Sequence, residues 1–159
     1  MNGDRVVYYF DSSALIKRYV QEEGSEQVQS LFSAPVRTAS TILTYVEVRA
    51  ALGKAIRMDR LDDGEAARAW DSFCAEWESV IRVGIDQALL QQAADAAERH
   101  SLRAYDAVHL ASALLLRGNV GVPVVMATFD YELWKAARQR GMQVFPQSLP
   151  RPPASTQGE

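Results

Sequence analysis

An apolar run that ends on a carboxylate constrains this chain more than any other feature. Val6-Val7-Tyr8-Tyr9-Phe10 is followed at once by Asp11-Ser12-Ser13. A short run of β-branched and aromatic side chains predicts a buried strand. Residues Ala14 to Val20 then predict a helix over about 12–20. Asp11 therefore stands where a strand hands over to a helix. In open α/β sheets that edge is where ligands bind.

The alternation continues downstream. Spacing predicts helices over about 26–34, 40–58, 63–77, 86–100, 104–116 and 131–140, and short strands at 36–39, 80–83, 123–128 and 143–145. Ser25, Ser40 and Asp86 read as helix openers, and Asp62 with Glu65 as a capping box. Strands alternating with helices predict an α/β fold: a central, mostly parallel sheet of four to five short strands flanked by about seven helices. Residues 40–77 break the alternation as a helical pair, which predicts a projecting hairpin or a partner-binding surface.

A chain of 159 residues suits one core. The expected division is one domain over 1–146 and a tail over 147–159 containing Pro150-Arg151-Pro152-Pro153. A net charge of −3 excludes a protein that grips nucleic acid over its whole surface. If nucleic acid is the substrate, locally placed basic groups or a metal must supply the positive charge. The single cysteine, Cys74, excludes an intrachain disulfide and fits a reducing compartment. No apolar run approaches the roughly 18 residues of a bilayer span. The polar opening Met1 to Arg5 does not read as a signal peptide, so the expected location is cytoplasmic.

Four acids attract notice: Asp11, Glu47, Asp106 and Asp130. Singly, each has a plain structural reading. Asp11 and Asp130 both follow an apolar run and precede a helix, where Asp is a favoured N-cap. Glu47 stands three residues after Thr44, as in a capping box. Asp106 suits a first helical turn, where the dipole favours an anion. Two details weigh against stopping there. A helix opening at Ser40 places Glu47 mid-helix, on a face shared with Leu43, Val46 and Ala50, and a buried unpaired charge is costly. Asp11 and Asp130 also share the C-terminal edge of the predicted sheet. Carboxylates gathered there repel each other unless protonated or bridged by a cation. Oxygen-only ligands favour Mg²⁺ or Mn²⁺, and no histidine or cysteine pair stands at zinc spacing.

These residues carry a resemblance. Tyr9-Phe10-Asp11-Ser12-Ser13-Ala14-Leu15 resembles the opening motif of PIN-domain ribonucleases. Thr44 to Leu52 resembles their second motif, Tyr105 to Leu114 their third, and Thr128-Phe129-Asp130 their fourth. Order and spacing agree over roughly residues 6–145, in a form similar to the VapC-like toxins of type II toxin–antitoxin pairs. The resemblance implies a three-layer PIN-like fold and an endoribonuclease needing Mg²⁺ or Mn²⁺. It implies Asp11, Glu47, Asp106 and Asp130 as catalytic residues and metal ligands. It implies a homodimer and a cognate antitoxin seated over the helices of about 40–77 and the acidic pocket.

Supporting roles fall to Thr128, which orients Asp130, holds a metal-bound water or is simply a strand residue, and Ser12, which orients Asp11 or caps the first helix. Glu132 either reaches the site or serves the dipole of its own helix. The basic residues Lys17, Arg18, Arg103, Lys135 and Arg138 would rim the pocket or be ordinary surface charge. His109 reads as structural. Trp70, Trp77 and Trp134 read as core or interface. An alternative is a PIN-fold module that binds an antitoxin or scaffolds a complex with little catalysis. An aspartyl-phosphate phosphatase is disfavoured, because Ser13 stands where it needs its second acid.

Overall fold

The computed structural model describes residues 6–154. Residues 1–5 and 155–159, on which the reading of the polar opening and part of the tail rest, lie outside the described residues. Among the described residues no helix is long and apolar enough to cross a membrane.

Among the described residues five strands, β1 (Val7–Phe10), β2 (Arg37–Thr41), β3 (Ile81–Val83), β4 (Val124–Ala127) and β5 (Gln143–Phe145), form one sheet in the order β3-β2-β1-β4-β5. Every pairing is parallel. Each parallel step needs a crossover, and seven helices supply them: α1 (Ser12–Leu15, continued by a 3₁₀ turn to Arg18), α2 (Ser25–Leu31), α3 (Thr44–Arg57), α4 (Asp63–Trp77), α5 (Gln87–His100), α6 (Ala104–Asn119) and α7 (Tyr131–Gln139). The α/β architecture and parallel sheet expected from the alternation are both present.

The period-two alternation of a strand divides the core. Val7 and Tyr9 of β1 face a layer that includes Leu89, Leu110, Leu133 and Met126. Phe10 faces the other layer, with Leu15, Val48, Leu52 and Phe73. β1 is buried on both faces, which explains why it reads as a continuous apolar run. The expected capping box of α4 is formed: the Asp62 side chain accepts from Glu65 N–H while the Glu65 side chain accepts from Asp62 N–H. Asp86 caps α5 by accepting from Leu89 N–H at 2.8 Å.

Two expectations are corrected. Ser40 does not open a helix. Ser40 and Thr41 end β2, and α3 starts at Thr44. The hydroxyls that look like a cap turn across the sheet instead: Ser40 Oγ donates to the Phe10 carbonyl at 2.6 Å and lies 2.6 Å from Thr44 Oγ1. Glu47 consequently lies in the first turn of α3 rather than its middle, and the buried stripe of α3 is Thr44, Val48, Leu52 and Ala55. Val46, expected on the core face, is 64% exposed. Secondly, Ser25 does not cap α2. Gly24 occupies that position in the left-handed region, φ +87°, while Ser25 Oγ donates to the Val20 carbonyl.

Gly24 also brings the loop between α1 and α2 against Phe129, the residue before Asp130. A Cβ at this position would lie 2.7 Å from the Phe129 ring. Gly24→Ala is expected to lose about 1–3 kcal/mol from backbone strain and displacement of that ring. Urea denaturation would check this, and an unchanged midpoint would refute the close approach.

Candidate active site

Asp11 is set at the sheet edge by the strand before it. Its N–H continues the ladder by donating to the Ala127 carbonyl at 3.2 Å, and Thr128 N–H donates to the Phe145 carbonyl at 3.0 Å. The ends of β1 and β4 are therefore level, and Thr128 comes beside Asp11. Asp11 is 3% exposed. It nevertheless has a full set of donors. Ala14 N–H reaches Oδ1 at 2.9 Å, Thr128 Oγ1 reaches Oδ2 at 2.7 Å, and Ser13 Oγ lies 2.8 Å from both oxygens. Asp11 is thus the N-cap of α1 itself. Ser13, rather than Ser12, supplies the hydroxyl that meets Asp11.

Ser12 does something else. It donates to Glu47 Oε2 at 2.9 Å. The other Glu47 oxygen lies 2.9 Å from His109 Nε2, and His109 Nδ1 lies 3.0 Å from Tyr9 Oη. A carboxylate only accepts, so Nε2 carries the proton toward Glu47. Burial holds the Tyr9 phenol protonated, far above its ordinary range, with its oxygen against Nδ1. His109 is therefore more than a packed helix residue: it fixes Glu47 from below. The available signal was its place on α6, a helix buried on nearly every side, where a polar ring needs partners.

The remaining two acids share one cation. Arg103 Nε donates to Asp106 Oδ2 at 3.1 Å and Arg103 Nη2 to Asp130 Oδ2 at 3.0 Å. Asp130 Oδ1 caps α7 by accepting from Leu133 N–H, and its own N–H donates to Thr128 Oγ1 at 3.0 Å. Thr128 thus ties the Asp130 backbone to the Asp11 side chain. These bonds close a ring through Asp11, Thr128, Asp130, Arg103 and Asp106, then along α6 to His109, Glu47 and Ser12, back to Asp11. The four acids predicted from sequence are brought to one edge of the sheet.

Other residues lie apart from the ring. Glu132 is exposed and borders a surface depression with His100, Lys135 and Gln139. Arg18 grips Glu76 with two nitrogens and lies over the Phe32 ring, fastening α1 to α4. Lys17 pairs with Glu22 at 2.8 Å. Arg138 lies over Trp134. Trp77 and Trp134 are buried, as expected.

The electrostatics are uneven. Burial pushes the Asp11 carboxyl above the usual range, against the opposing pull of His109, Thr128, Ala14 and Ser13. Asp106 is also raised, by burial and then by the negative charge of Asp130, with Arg103 opposing. Burial acts on Glu47 too, but the His109 and Ser12 bonds outweigh it and hold Glu47 below its ordinary value. Among the described residues no three Asp, Glu, His or Cys side chains are arranged as ligands around one point. Asp11 and Glu47 are turned instead to donors of their own, and Asp106 and Asp130 to the Arg103 they share. The donor set still suits a hard divalent cation: it offers carboxylate and hydroxyl oxygens, and both nitrogens of His109 are committed. Asp106 and Asp130 already face a positive group, the Arg103 guanidinium.

Comparison with known proteins agrees in sequence and in shape. The PIN domain family model matches residues 8–139. Ribonuclease VapC45 of Mycobacterium tuberculosis is 38% identical over 144 residues, covering 89% of this chain and 96% of the relative. Ribonuclease VapC46 of the same species is 32% identical over 136 residues, covering 86% and 94%. The fold is similar to the crystal structure of M. tuberculosis VapC20, described as a sarcin–ricin loop cleaving toxin, with a TM-score of 0.62, 17% identity and coverage of 90% and 99%.

The shifts predict a pH signature in chelator-treated protein. A carboxyl raised on folding binds its proton more tightly in the native state. Asp11 and Asp106 therefore remove stability as pH rises from the unfolded value of 3.8 through their higher folded values. Glu47, lowered on folding, adds stability that is present above its unfolded value of 4.5 and is lost as pH falls through its folded value. Asp106→Asn is expected to lessen the loss between pH 4 and 8 relative to the parent. Urea midpoints across that range would check it, and an identical pH profile would refute the raised Asp106.

Proposed function

The chain belongs to the PIN domain family, and from that membership we propose that it is an endoribonuclease hydrolysing RNA phosphodiesters, the toxin of a toxin–antitoxin pair. The observation that carries this reading is the ring joining Asp11, Glu47, Asp106 and Asp130 at the C-terminal edge of a parallel sheet. A protein that only binds a partner has no need to gather four carboxylates there. The curated relatives named as ribonucleases match it across 94–96% of their own length.

In this reading Asp11, Glu47, Asp106 and Asp130 hold Mg²⁺ or Mn²⁺. When bound, the ion supplies Lewis acidity and positive charge opposite the phosphate. The chain's own residues do the rest. Thr128, Ser13 and the Ala14 amide hold Asp11 in one orientation. Ser12 and His109 do the same for Glu47. Caps by Asp11 and Asp130 occupy one oxygen of each with a helix amide, so the second oxygen is set by the backbone. A site held so firmly keeps its geometry through the reaction, which is where preorganised electrostatics gain their effect.

The partner is an antitoxin, and we place it over α3 and α4. Ile42, Tyr45 and Val46 are exposed there at 45%, 40% and 64%. Tyr45 lies edge-on to Trp70, beside Phe73 and Trp77, and Arg49 stands over Trp70. This apolar and aromatic surface suits an amphipathic helix of a partner. A homodimer belongs to the same proposal, and light scattering of the purified chain tests it.

Asp11→Asn and Asp106→Asn are each expected to lower RNA cleavage at least about 100-fold, the scale of losing one preorganised charge, with circular dichroism unchanged. Cleavage of a defined RNA at parental rate by either variant, purified free of host nucleases, would overturn the assignment.

A further inference from the structure

Arg103 differs from every other bond in the ring. Its side chain is 80% exposed, whereas those of Asp106 and Asp130 are only 14% and 25% exposed. One flexible guanidinium reaches from the solvent side across two recessed acids, using Nε for one and Nη2 for the other. Those acids come from different elements. Asp106 stands in the first turn of α6 and Asp130 caps α7. Without a cation between them they are two like charges at one edge. Asp11 and Glu47 are different: their partners are buried or half-buried groups of the fold, Thr128, Ser12, Ser13 and His109, and cannot leave.

We propose that Arg103 is a placeholder cation: it holds Asp106 and Asp130 together in the metal-free protein and gives way when a divalent ion takes those carboxylates. This rests on the metal-binding reading of the four acids given above. Exposed ion pairs are individually weak and screened, so the arginine is exchangeable. A divalent ion held by several oxygens competes with it for the same Oδ2 atoms. Arg103 has two consequences. It lets the acid pair fold without metal, and it sets the metal concentration at which the site loads. It is a positioning residue, acting through Asp106 and Asp130. Nothing requires it to touch the reacting atoms.

The test is a titration of Mn²⁺ alone, followed by loss of the free-ion paramagnetic resonance signal, on the parent chain, Arg103→Gln and Arg103→Lys. Removing the competitor is expected to lower the half-saturating Mn²⁺ concentration of Arg103→Gln about threefold to tenfold, the range that two exposed ion pairs allow. Arg103→Lys, a point charge unable to span both acids, is expected to fall between. In chelator, Arg103→Gln is expected to melt about 2–4 °C below the parent. Saturating Mn²⁺ should close that gap, so that the variant gains more from the ion than the parent does. This crossing distinguishes exchange from a merely structural ion pair, whose loss would lower both melting points equally. If the parent binds Mn²⁺ and Arg103→Gln binds it equally or more weakly, the placeholder role is overturned while the metal site stands. If no protein binds Mn²⁺, the metal reading falls and the placeholder with it.

Discussion

The carboxylate of Asp11, almost sealed from water at the end of the central strand, is the group around which the molecule is arranged. An unpaired charge in that position costs several kcal/mol. Relief comes from three places at once: the Ser13 hydroxyl, the Ala14 amide and the Thr128 hydroxyl. The first two exist only if α1 begins immediately after β1. The third exists only if β4 lies directly beside β1 and ends level with it. Strand order and chemistry are therefore one requirement. A sheet of the same residues in another order would leave this ion stranded.

Helix capping and acid clustering are not rival explanations here. Asp11 Oδ1 accepts from the Ala14 amide and Asp130 Oδ1 from the Leu133 amide, while each Oδ2 points to a different partner, Thr128 or Arg103. The backbone of the following helix thus aims the other oxygen at its partner. Weighing each acid singly sets the two roles in competition, because a sequence gives one residue one label. Two oxygens on one carboxyl allow both.

The sheet, the helices and the four acids were legible because each leaves a local trace: apolar runs, helical spacing, an acid at a boundary. What escaped depends on contacts between distant segments. Ser40 carries the composition of a cap, yet its hydroxyl serves the carbonyl of Phe10, thirty residues earlier in sequence. That bond moved the start of α3 by four residues, from 40 to 44. The expectation that Glu47 needs a partner held, although the face assigned to it did not, because the partner came from Ser12 and His109 rather than from its own helix. His109 met the same burial argument that singled out Glu47, since a neutral imidazole buried on a packed helix also needs partners, but the sequence did not say that Glu47 and Tyr9 would supply them. Arg103 lay among several basic residues with no feature to separate it. Only the convergence of α6 and α7 does so.

The strand order has a consequence in time. The centre of the sheet is made first and its neighbour β4 late, and the Thr128 that steadies Asp11 comes 117 positions after it. Contacts so far apart in sequence form only after a long intervening chain exists. During synthesis, β1 can pair with β2 while both Thr128 and Asp130 are still unmade. The half-built protein therefore holds Asp11 and Glu47 without the other half of the acid ring. The ring closes only once the segment carrying Thr128 and Asp130 has been made and β4 has paired beside β1.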